Sequence, residues 1–137
     1  MKLAARVVLV LLAAAVAACG SRGKEDPILA LSAAESLAEG KRLMGEERYS
    51  QARPYLSHAF EVEPNSAAGR EALLLVADAL FLDGGEANLI QAEAKYRDFQ
   101  NRFPTSDKAP YVQFQIANSL SKRIERPDRD QASTAKA

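Results

Sequence analysis

The chain has 137 residues, with 18 basic and 18 acidic side chains, one histidine, one cysteine and no tryptophan. A neutral balance offers no global attraction to nucleic acid, and a single cysteine excludes any intrachain disulfide. The length suits one domain, and a small one for a well-buried core.

Residues 1–18 have the three-part layout of an export signal: Lys2 and Arg6 first, an apolar run from Val7 to Val16, then Ala17 and Ala18 before Cys19. The run is too short for a confident membrane span, which needs about 20 residues. Its removal takes both cations and no acid, leaving a slight acidic excess. The stretch Val16-Ala17-Ala18-Cys19 resembles a bacterial lipobox. That resemblance implies cleavage before Cys19, a diacylglyceryl thioether on its sulfur, and acylation of the new amino terminus. Two or more acyl chains hold a protein stably where one holds it marginally. Gly20 stands where Asp is associated with inner-membrane retention, which by the same resemblance implies the outer membrane, on its periplasmic face. The covalent lipid is the only prosthetic group expected, with no other cofactor and no metal.

Residues 19–31, the lipidated cysteine and a polar, Gly-rich stretch up to Asp26-Pro27, read as a flexible tether. The repeat region is expected over 32–124. Ser32 followed by Glu35 is a capping box that starts a helix over 33–46, with Leu37, Leu43 and Met44 near one face and Gly40 between them. A second helix over 50–62 carries Ala52, Tyr55, Leu56, Ala59 and Phe60 at amphipathic spacing. Pro54 fits only if that helix begins close to it. The third, 67–82, repeats the spacing with Leu73, Val76, Ala77, Leu80 and Phe81, and Gly84-Gly85 stops it. Helix 88–102 follows with Ala92, Tyr96 and Phe99, and helix 109–124 with Val112, Ile116, Ala117, Leu120 and Ile124. Residues 125–137 form a polar tail. No alternating strand pattern occurs, so the expected fold is all-α.

The sequence matches itself at an offset of 40 positions: Gln51 with Gln91, Ala52 with Ala92, Pro64 with Pro104, Ser66 with Ser106. Leu74/Phe114, Val76/Ile116, Ala77/Ala117 and Leu80/Leu120 obey the same offset. The chain is therefore a tandem array of helix hairpins, an α-solenoid of about two and a half repeats. The run Gly40, Leu43, Ala52, Leu56, Ala59, Pro64 resembles the tetratricopeptide pattern, in which small residues let paired helices approach and Pro ends the second. Glu39 departs from it, at a position where a large apolar residue is usual.

A narrower resemblance lies in Ala92-Glu93-Ala94-Lys95-Tyr96-Arg97-Asp98-Phe99, Arg102-Phe103-Pro104-Thr105-Ser106-Asp107, Ala109-Pro110-Tyr111-Val112-Gln113-Phe114-Gln115-Ile116-Ala117 and Arg126-Pro127-Asp128-Arg129-Asp130-Gln131. With the lipobox, these look like the outer-membrane assembly lipoproteins of the BamD (YfiO-like) type. The resemblance implies an adaptor in the insertion of β-barrel outer-membrane proteins. Its implied partners are the barrel insertase, other lipoproteins of the assembly complex and unfolded outer-membrane protein segments. It also implies that the tail begins the second helix of a third repeat, in a shortened version of the family.

Stacked hairpins present a curved inner side lined by the first helix of each pair. The repeat register puts Leu37, Lys41, Leu74, Phe81, Tyr111, Phe114 and Asn118 nearest that side, as a groove for a protein segment. Catalysis is not expected. His58 has Glu61 three residues on but no nucleophile or metal-ligand spacing beside it, and reads as a surface histidine. Glu35, Glu39, Glu46 and Glu47 read as solvated helix faces, and no glycine loop fits a phosphate. The alternatives are a repeat lipoprotein of another envelope system, such as cell-wall or pilus assembly, and a non-functional fragment of the family.

Overall fold

The structure, a computed structural model, describes residues 26–124. The expected signal segment, Cys19, most of the tether and the tail over 125–137 lie outside the described residues. A short 3-10 turn, Pro27–Ala30, precedes five helices: α1 (Ala33–Gly45), α2 (Tyr49–Val62), α3 (Ala67–Asp83), α4 (Glu86–Arg102) and α5 (Ala109–Ile124). No strand occurs among the described residues.

Local chemistry sets the helix ends. The Ser32 hydroxyl accepts from Glu35 N at 3.3 Å while the Glu35 carboxylate accepts from Ser32 N at 2.9 Å, closing the capping box of α1. Ser66 caps α3 by accepting from Gly69 N at 2.9 Å. Gly84 and Gly85 both have positive φ, 73° and 77°, which lets the chain stop α3 and start α4 with no intervening loop. That turn brings α4 in at Glu86, earlier than the spacing of its apolar residues suggests.

Pro54 lies inside α2, one turn beyond its start at Tyr49, and does not mark the beginning of the helix. The proline removes one backbone bond, to the carbonyl of Ser50, and Ser50 is exposed, so water can replace the lost donor.

Each helix packs on the next in the chain, and α1 also packs on α3, giving two stacked hairpins (α1–α2 and α3–α4) followed by α5. The result is an α-solenoid. Ala52, Ala59, Ala72, Ala77, Ala79 and Ala92 are fully buried at the helix crossings, with Leu56 and Tyr96 filling the spaces between them. At Gly40 the close approach is direct. A Cβ there would lie 2.5 Å from Leu56 Cδ2, so the fully buried Leu56 side chain would have to move to admit a larger residue.

His58 is buried, not superficial, and its Nε2 lies 3.1 Å from the Leu31 carbonyl oxygen. It ties the segment before α1 to α2.

Candidate functional site

The first helices of the hairpins, α1, α3 and α5, form the inner layer. Between α1 and α3 the backbones approach closely, and Lys41 pairs with Glu71 across the joint at 2.7 Å. Both side chains are about half exposed, so solvent screens the pair and it fixes little.

The joint between α3 and α5 is built differently. Their backbones approach less closely, and long side chains bridge the space. Tyr111 Oη, from α5, donates to Asp78 Oδ1 of α3 at 2.8 Å. Tyr96 Oη, buried on α4, donates to the same oxygen at 2.6 Å. Gln115 Nε2 donates to Tyr111 Oη at 2.9 Å, and Asn118 Nδ2 to Gln115 Oε1 at 3.2 Å. One helical turn further, Lys122 Nζ sits 4.2 Å from the centre of the Phe81 ring, a cation over an aromatic face.

Burial raises the Asp78 carboxyl above its ordinary range, and the two phenol hydrogen bonds offset this only in part. Burial likewise pushes the Tyr96 phenol up, reinforced by the Asp78 charge, and Tyr111 shifts the same way with burial as its main cause. Neither phenol ionises near neutrality, so both remain donors.

Beside this network, a cavity of about 270 Å³ opens between the first turns of α3 and the loop entering α5. Leu74 and Phe99 give it an apolar floor, and Arg70, Glu71, Asp107 and Lys108 carry charge at its edge. The Arg70 guanidinium is steadied by a hydrogen bond to the Asn65 carbonyl at 3.0 Å and by the Phe103 ring at 5.9 Å.

The seven residues expected to line the groove divide into two groups. Leu37, Leu74 and Phe81 are buried members of the core, each at most 8% exposed. Leu74 and Phe81 nonetheless meet the inner surface, Leu74 at the cavity floor and Phe81 beneath Lys122. Lys41, Tyr111, Phe114 and Asn118 are at least partly exposed, and Phe114 stands out at 65%. Tyr111 and Asn118 belong to one network, Lys41 to a separate joint, and Phe114 has no place in either. Asp78, the centre of the network, was not among the expected residues. Its signal was present: it is the lone charge in the apolar run from Ala72 to Leu82.

Among the described residues, no group of His, Cys, Asp and Glu side chains could hold a metal ion. No helix among them is long and apolar enough to cross a membrane. The fold and site define a helical-repeat protein with a polar, aromatic inner surface. Comparison with family models, with curated proteins and with solved structures gives no match to this chain.

Proposed function

We propose that this chain is a lipid-anchored, non-enzymatic adaptor on the periplasmic face of the bacterial outer membrane. It binds protein segments on its inner helix layer during assembly of β-barrel proteins, in the manner of the BamD-type lipoproteins it resembles. Its partners are the barrel insertase, companion lipoproteins and unfolded barrel segments, and its only attached group is the lipid on Cys19. The observation that carries the binding role is the cavity floored by Leu74 and Phe99 beside the Tyr111–Gln115–Asn118 strip. An apolar floor takes a side chain, and the Arg70 guanidinium at the edge suits a carboxylate. The signal-like start and Cys19 support the anchor.

The test is affinity purification of the full-length tagged protein from solubilised envelopes, beside a Cys19→Ser variant. Recovery of the barrel insertase with the parent chain, together with a thioether lipid on Cys19 by mass spectrometry, is the expected result. Recovery of cell-wall or pilus assembly proteins in its place, or an unmodified thiol, overturns the proposal.

A further inference from the structure

The lipid of the proposed anchor would enter the bilayer close to a feature that the repeat groove does not use. The 3-10 turn Pro27–Ala30 buries none of its residues, and Leu29 is 68% exposed, with Pro27 and Ala30 exposed beside it. The turn is nevertheless held in place. Asp26 Oδ1 accepts from Ile28 N at 3.0 Å, Leu31 N donates to the Ile28 carbonyl at 3.1 Å, and the Leu31 carbonyl sits 3.1 Å from buried His58 on α2. An apolar knob is therefore fixed to the first hairpin and presented outward.

Resting on the anchor reading, we propose that this turn is a bilayer contact, with Leu29 inserted among the lipid chains next to the one carried by Cys19. Chain geometry limits the occupant. The stretch from Cys19 to Asp26, even fully extended, reaches only about 25 Å. A surface so tethered meets the lipid far more often than it meets any dissolved partner, since tethering makes the encounter intramolecular. One leucine would not hold a free protein on a membrane, but it can orient one already attached. The contact turns the α1–α2 hairpin toward the bilayer. It leaves α5, two helix spacings or roughly 20 Å further along the inner layer, toward the periplasm.

The absence of tryptophan makes the test direct. Full-length protein carrying Leu29→Trp, purified from solubilised envelopes, is reconstituted in phosphatidylethanolamine–phosphatidylglycerol vesicles whose acyl chains are brominated near the glycerol end. Phe114→Trp serves as the distant reference. Bromine is expected to quench the Leu29→Trp indole by about half while leaving the Phe114→Trp emission unchanged, as expected for shallow interfacial insertion. Ala30→Trp reports the same turn should the first variant disturb it. Protein that floats with the vesicles yet shows equal emission in brominated and plain lipid from both turn reporters overturns the bilayer contact and leaves the anchor standing. Protein that stays in the aqueous layer overturns the anchor, and the contact with it.

Discussion

Gly69→Ala tests how tightly the link between the two hairpins folds against α3, because general propensity and this structure predict opposite signs. In an open helix the change stabilises by roughly 0.5–1 kcal/mol, since alanine loses less backbone freedom on folding. At Gly69 the new methyl would overlap the Glu63 carbonyl oxygen, come within 2.8 Å of the Glu63 carbonyl carbon and within 3.2 Å of Pro64 Cα. All three are backbone atoms of the α2–α3 link and cannot rotate aside as a side-chain tip can. Relief requires that link to shift, and overpacking of this kind costs about 1–3 kcal/mol. Repulsion therefore outweighs the propensity gain, by up to about 2.5 kcal/mol. In a domain of this size each kcal/mol moves the melting temperature by about 4–8 °C, so Gly69→Ala should melt lower, by up to roughly 20 °C. Gly45→Ala is the control: no atom lies within 4 Å of its added Cβ, and its melting temperature should hold or rise slightly. Thermal melts followed by far-ultraviolet circular dichroism read both variants. A Gly69→Ala protein that melts at or above the parent refutes the close approach of Gly69 to the α2–α3 link.

Asp78 should make stability fall as pH rises. Its folded carboxyl lies above the ordinary 3.8, so the stabilising contribution is complete below 3.8 and lost as pH climbs through the raised folded value. Asp78→Asn cannot ionise and can still accept both phenol hydrogen bonds through its amide oxygen, so its melting temperature should gain on the parent from acid to neutral pH. Parallel profiles for the two proteins would count against a buried, ionising Asp78. For Lys41 and Glu71, a double-mutant cycle should give a coupling of about 0.2–1 kcal/mol that shrinks in molar salt. A larger, salt-insensitive value would mean that the α1–α3 joint is drier than the side-chain exposures indicate.

The helices were legible because their signals are local. Ser32 with Glu35 and the Gly84-Gly85 pair mark ends by short-range hydrogen bonding or by glycine's conformational range, and the apolar spacing marks the faces. Pro54 was harder to read. Whether one missing bond in α2 is tolerable depends on whether water reaches Ser50, a fact of the tertiary structure. The groove was legible only in part, for a geometric reason. An inner-layer helix packs on its own partner, on the preceding hairpin and on the next inner helix, so its apolar positions surround much of its circumference. α3 buries nine residues in this way. Periodicity identifies such positions but cannot separate Leu37 and Phe81, which are closed in, from Phe114, which is open. Asp78 was missed for a related reason: which groups would hold a lone acid in an apolar run is decided by α4 and α5, far along the chain.

On the proposed binding role, the two joints of the inner layer contribute differently. In a solenoid each hairpin touches only its neighbours, so the spacing of successive inner helices determines the shape of the inner surface. The α1–α3 joint is closed by direct backbone approach, and its ion pair adds little. At the α3–α5 joint one carboxylate receives a phenol from α4 and another from α5, linking three helices through a single oxygen atom. Its raised pKa means that burying this charge opposes folding at neutral pH, even with both hydrogen bonds made. The group therefore acts as a spacer, holding Tyr111, and through it Gln115 and Asn118, at a set position along the groove. Stability and binding should then separate at this residue. Replacing Asp78 with Leu abolishes the bridge and should release Tyr111, weakening capture of a protein segment even where the fold survives. Asp78→Asn keeps the bridge and should preserve capture while improving stability at neutral pH.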